Sequence, residues 1–140
     1  MPTIRAIATL LLLLTVAGCF RGEERLYPVS GRVTVGGVPL TSGDVVLTPD
    51  PERDNKHLDC PMGVIESDGN YTVATRNRPG AKAGAYKVMV LATRNKPEAR
   101  IDWVPIWAVD VKYTKRETTD LRIEVVPTPA EKAYDLNLPR

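Results

Sequence analysis

Past its N-terminal segment this chain is punctuated by prolines and glycines, and the apolar runs they bound are short. Twelve prolines and ten glycines are spread over 140 residues, and they fall between short apolar runs. Glycine supplies backbone conformations with positive φ, and proline lacks the N–H that a helix or sheet ladder needs, so the spacing is that of turns between short strands. The runs themselves have a period of two. Val29, Gly31, Val33 and Val35 alternate with Ser30, Arg32 and Thr34, the signature of a half-buried strand. Gly36-Gly37 suits a tight hairpin turn, and a second run, Asp44 to Thr48, is closed by Pro49.

The same punctuation continues along the chain. Asp50 to Pro61 is polar and reads as a long solvated loop. Met62 to Glu66 is apolar, Ser67-Asp68-Gly69-Asn70 is a turn tetrad, and Tyr71, Val73 and Thr75 alternate on the returning strand. Asn77 to Gly84 reads as a loop, and Tyr86 to Ala92 is apolar on both faces, which places it centrally in a sheet. Residues 94–118 resist assignment, because Pro97 and Pro105 exclude a long central strand. Leu121, Ile123 and Val125 alternate with charged residues, as do Tyr134, Leu136 and Leu138 with polar ones. The expected fold is all-β: a single Greek-key β-sandwich of about seven strands, with no amphipathic helix.

Hydrophobic residues make up 43% of the chain, which argues against a disordered polypeptide. The net charge is +2, with no basic stripe or block of like charge. Nucleic-acid binding requires a concentrated positive face and is excluded on that ground.

The N-terminus reads as an address. Arg5 is followed by an apolar run from Ala6 to Ala17, in which Leu10 to Leu14 form a helix-prone core. That arrangement fits a secretory signal peptide and falls short of the roughly 20 apolar residues that span a bilayer. Val16-Ala17-Gly18-Cys19 then resembles the bacterial lipobox. The resemblance implies cleavage between Gly18 and Cys19 and lipidation of Cys19 with acyl chains, each buried methylene contributing about 0.8 kcal/mol of membrane affinity. Phe20 stands where an inner-membrane retention signal would place Asp, so the implied location is the cell envelope, lipid-anchored, at the outer membrane on its periplasmic or surface side. The organisation expected is therefore a signal peptide over 1–18, a lipidated tether over 19–27 and one domain over 28–140.

Several motifs in that domain carry a second resemblance. Val29-Ser30-Gly31-Arg32-Val33-Thr34-Val35-Gly36-Gly37-Val38-Pro39-Leu40, then Asp68-Gly69-Asn70-Tyr71, Gly84-Ala85-Tyr86-Lys87-Val88-Met89-Val90, and Lys112-Tyr113 with Thr119-Asp120-Leu121 are similar in order and spacing to the carboxypeptidase-regulatory-like, or transthyretin-like, domains of small bacterial lipoproteins. The likeness implies a prealbumin-like sandwich with a non-catalytic interaction or structural role. Hydrolytic relatives of that fold use several histidines, and this chain has one.

Candidate chemistry is sparse. His57 and Cys60 lie close together in the polar loop, but neither a rigid support nor an oxyanion donor is evident there, so a solvated histidine is expected; Cys60 is expected to be buried and inert, with an intermolecular disulfide as the alternative. One Cys and one His do not fill a zinc site. Asp50, Glu52, Asp54 and Asp59 share the loop with Arg53 and Lys56, a mixture that suits solvent better than calcium. The reading therefore assigns no catalytic residue, metal or cofactor. Trp103 and Trp107, with Ile101 and Ile106 nearby, are the remaining candidates: they either cap the core beneath a long loop or stand exposed to bind an envelope protein or a polysaccharide. The function expected is a membrane-anchored envelope lipoprotein with a non-catalytic interaction module, with carbohydrate binding through Trp103 and Trp107 as the alternative.

Overall fold

The computed structural model describes residues 24–96 and 98–140. The signal peptide and the lipobox, including Gly18 and Cys19, lie outside the described residues. What is described is all-β, with ten short strands in two facing sheets. The large sheet has the order β7-β6-β4-β3-β8-β9, built from β3 (Asp44–Pro49), β4 (Met62–Val64), β6 (Ala74–Thr75), β7 (Arg78–Pro79), β8 (Gly84–Leu91) and β9 (Arg122–Val125). The small sheet is organised around β1 (Ser30–Val35), which pairs in parallel with β10 (Leu136–Leu138) and antiparallel with β2 (Val38–Pro39) and β5 (Asn70–Thr72). In the large sheet β8 returns from beyond β7 to pair along the full length of β3, so the order is not that of a simple meander.

The alternation read from sequence positions the core. Val29 and Val33 from the small sheet meet Val45, Leu47, Val88, Val90, Ile123 and Val125 from the large one. Each such side chain contributes roughly 1.5–3 kcal/mol when fully buried. β8 lies between β3 and β9, in the interior place that its apolar character requires. Gly36 and Gly37 adopt φ of 57° and 81° in the two-residue turn that pairs Val35 with Val38.

More strands form than the seven expected, for identifiable reasons. The run Tyr71–Thr75 keeps its alternation but changes sheets at Val73: its first part pairs with β1 as β5, and its second with β4 as β6. Arg76 and Asn77, at φ 48° and 67°, then make a tight turn without glycine, so β7 forms where a loop was expected. The chain also joins the fold earlier than residue 28. Tyr27 exchanges backbone hydrogen bonds with Ala81 (2.8 and 2.9 Å), and Glu24 pairs with Lys82. That contact lowers the Glu24 carboxyl and raises the Lys82 ammonium relative to their ordinary titration ranges.

The segment Asp50–Pro61 is a loop, but it is not simply solvated. Asp50 is 1% exposed and Asn55 is buried. Asp50 accepts from the backbone N–H of Glu52 (3.2 Å) and opens a 3₁₀ turn over Pro51–Arg53. Three ion pairs hold this turn to β8 and β9: Asp50 with Arg122 (3.4 Å), Glu52 with Lys87 (3.6 Å) and Arg53 with Glu124 (3.1 Å).

Two buried tyrosines close the core. The Tyr71 hydroxyl donates to the Tyr134 carbonyl at 2.5 Å, and that of Tyr86 to the Lys82 carbonyl at 2.9 Å. Burial pushes both hydroxyls above the ordinary tyrosine range. The folded state thus holds these protons more tightly than the unfolded chain, whose tyrosines ionise near pH 10. Stability is insensitive to them below about pH 10 and falls as pH rises beyond it. Tyr71→Phe leaves the Tyr134 carbonyl without its buried donor and is expected to cost about 1–3 kcal/mol at neutral pH. Urea unfolding between pH 8 and 11 should show this loss at pH 8 and a shallower alkaline decline than the parent chain. Parallel pH profiles would contradict the assignment.

Candidate functional site

Beyond β8 the chain reverses through a long loop whose stem is built by hydrogen bonds. Arg94 N–H donates to the Ile106 carbonyl (2.7 Å) and Ala108 N–H to the Ala92 carbonyl (2.8 Å), so Thr93 and Trp107 form an isolated antiparallel bridge. Asn95 braces the inside of the reversal. Its amide donates to the Val104 carbonyl (2.9 Å) and accepts from the Ile106 N–H (2.8 Å). Its own carbonyl accepts from the Thr93 hydroxyl (2.8 Å). Within the tip, the Arg100 guanidinium donates to both carboxylate oxygens of Asp102 (3.2 and 3.0 Å).

Trp103 and Trp107 are each half-buried, yet neither belongs to the core cluster. They do not cap the core, the first of the two alternatives that the sequence leaves open. Trp103 instead donates its indole N–H to the Lys96 carbonyl (2.9 Å), and Trp107 lies in the stem bridge. The Trp103 indole braces the loop, while aliphatic side chains meet solvent: Ile101 is fully exposed, Val104 is 72% exposed and Ile106 58%. Ile101 and Ile106 were legible as neighbours of the tryptophans. Val104 was not, because nothing in its local sequence distinguishes an exposed valine from a buried one.

The loop lies at the opposite end of the sandwich from the point where the chain joins it. Tyr27 is fixed to Ala81, three residues before β8 begins, and the stem starts at Ala92, directly after β8 ends. Eight residues of extended strand separate the two ends by about 25 Å.

The other candidates are placed differently. His57 and Cys60 border one shallow recess of about 340 Å³, with Lys56, Leu58 and Arg116 on its rim. Among the described residues no hydrogen bond joins them, and no carboxylate orients the imidazole. Cys60 is exposed rather than buried, because the alternation of the strand that follows begins early. Pro61, Gly63 and Ile65 point inward while Cys60, Met62 and Val64 point out. The loop carboxylates do not converge: Asp54 pairs with Lys56 (3.4 Å), and Asp59 pairs with Arg76 (2.7 Å) and Lys82 (3.4 Å). No group of three or more metal-binding side chains occurs among the described residues.

No protein-family model matches the chain, and neither a curated protein nor a solved structure matches it.

The bracing role of Asn95 is separable from the core. Asn95→Ala removes both side-chain hydrogen bonds across the reversal, and limited proteolysis between residues 96 and 104 should accelerate severalfold. The global unfolding free energy should fall by less than about 1 kcal/mol, as for a surface change outside the core. A drop of several kcal/mol would show that the loop is part of the cooperative fold.

Proposed function

We propose that this chain is a membrane-anchored envelope lipoprotein whose β-sandwich is a non-catalytic module that presents the 98–107 loop to a protein partner. The observation that carries this reading is the loop's surface: Ile101, Val104 and Ile106 exposed together on a hydrogen-bonded frame. A braced loop loses little conformational freedom on binding, and clustered aliphatic side chains gain from desolvation against an apolar pocket. The lipobox resemblance at Val16 to Cys19 supports the anchoring. Four residues lie between Cys19 and Glu24, and the five steps of chain reach at most about 17 Å. Glu24 and Tyr27 are attached at the end of the sandwich remote from the loop. A lipid at Cys19 therefore leaves the loop projecting away from the anchoring surface.

The alternative, sugar stacking on Trp103 and Trp107, is disfavoured by the use of the two indoles. Both are half-buried, and the Trp103 N–H is already engaged, whereas the most exposed apolar side chains of the loop are aliphatic and offer no ring face for stacking.

Crosslinking in intact cells, followed by recovery of the C-terminally tagged protein from membranes, tests the reading. The parent chain should recover a reproducible protein partner. The triple variant Ile101→Ser/Val104→Ser/Ile106→Ser should lose it at least tenfold at equal abundance, since buried interface anchors each contribute about 1–2 kcal/mol or more. Cys19→Ala should abolish palmitate labelling and leave uncleaved precursor. Undiminished recovery in the triple variant would refute the presentation role, and unchanged labelling in Cys19→Ala would refute the anchor.

A further inference from the structure

A second face of the molecule has a different chemistry. The outward side chains of β1 and β5 stand opposite one another, Ser30 beside Thr72 and Arg32 beside Asn70. Lys132 and Asp135 rise beside them from the segment before β10, enclosing an open groove of about 540 Å³. That size falls within the roughly 300–1,000 Å³ typical of small-molecule sites. Apart from Gly31 and Tyr71, every lining residue has a polar or charged side chain. Its one aromatic residue, Tyr71, is buried with its hydroxyl committed to Tyr134.

Eight cations of the protein are neutralised by carboxylates, and the two that line this groove are not among them. Arg53, Lys56, Arg76, Lys82, Lys87, Arg100, Lys112 and Arg122 each have a carboxylate partner. Arg32 and Lys132 have none among the described residues. The Arg32 Nε donates to the Asp68 carbonyl (3.0 Å), which aims the guanidinium and leaves its terminal nitrogens available. Asp135 accepts from the Arg32 backbone N–H through one oxygen (3.0 Å), leaving the other for a ligand donor. The hydroxyls of Ser30 and Thr72 have no hydrogen-bond partner among the described residues. Lys132 is held at φ 57°, a conformation uncommon for a side chain of its kind, with its carbonyl accepting from the Asp135 N–H (3.1 Å).

We infer that this groove binds an anionic saccharide, a sugar unit bearing a carboxylate or phosphate. Arg32 and Lys132 take the oxyanion, the arginine through its fork of donors. Ser30, Thr72, Asn70 and Asp135 supply the mixed donors and acceptors that ring hydroxyls need. The lining offers no aliphatic pocket for a lipid or an apolar peptide side chain and no exposed ring for a nucleobase. The site is independent of the 98–107 loop and of lipidation.

Calorimetric titration of the mature protein with trigalacturonate, glucose 6-phosphate and the neutral trisaccharide maltotriose tests the inference. At least one of the two anionic sugars should bind, at least tenfold more tightly than maltotriose and more weakly as salt rises. Galacturonate binding alone identifies a carboxylate as the natural oxyanion, and hexose phosphate binding alone identifies a phosphate; either supports the site. Arg32→Gln and Lys132→Gln should each weaken binding about fivefold or more, with unfolding midpoints unchanged. Lys132→Gly, which suits the backbone conformation, should weaken it to the same degree. The Ile101→Ser/Val104→Ser/Ile106→Ser variant should bind normally, which separates this site from the partner-binding loop. Equal binding of the neutral sugar, no binding of either anionic sugar, or full binding by the Arg32→Gln/Lys132→Gln double variant would overturn it.

Discussion

The hydrogen bond from the buried Tyr71 hydroxyl to the Tyr134 carbonyl joins parts of the chain that are 63 residues apart, and the small sheet depends on it. Tyr71 lies in β5 and Tyr134 leads into β10, two of the three strands that pair with β1. The carbonyl can approach only because residue 31 is glycine: a Cβ there would meet the Tyr134 oxygen at 2.3 Å. With that carbonyl seated, β10 runs parallel to β1 from Val33 to Val35, and Leu136 and Leu138 enter the core. The same placement sets Lys132 and Asp135 beside Arg32. One buried polar contact thus completes the core and shapes the face outside it.

The large sheet is stabilised differently. Its β3, β8 and β9 pair over long registers, and the turn at Pro51–Arg53 is fastened to the outer side of β8 and β9 by charges. Ion pairs with exposed partners contribute little individually. Here they act alongside Asn55, whose buried amide donates to the Ala85 carbonyl at 2.8 Å, so the loop has a defined place at the end where the chain joins the fold. The 98–107 loop, at the other end of β8, has a frame of backbone and Asn95 hydrogen bonds and almost no apolar cover. That contrast leaves Ile101, Val104 and Ile106 open to solvent.

Much of the fold was legible in the sequence, because a half-buried strand writes its inward face directly as alternation. Val29 and Val33, Ile123 and Val125, and Leu136 and Leu138 were readable in this way, as was the Gly36-Gly37 turn. What was not legible depended on distant partners. Nothing near Val73 announces that its strand changes sheets, and the Arg76-Asn77 turn lacks the glycine that marks such turns. Asp50 looked solvated because its burial depends on Arg122 and on a turn that its own carboxylate caps. Cys60 was misplaced because the register of its strand is set by Pro61 and Gly63. Trp103 and Trp107 drew attention to the 98–107 loop, but not to which of its side chains face solvent: both indoles are half-buried, and that of Trp103 is tied to the Lys96 carbonyl.

The decisive measurement is hydroxyl-radical footprinting of the protein, performed in native membranes and again after reconstitution of the purified protein alone into vesicles of the same lipids. The account predicts that Ile101, Val104 and Ile106 are shielded in native membranes and reactive in the vesicles, while Met62, on the outer face of the large sheet, reacts equally in both. Equal reactivity of the three loop residues in the two settings would contradict it, since the loop would then have no membrane-resident protein partner.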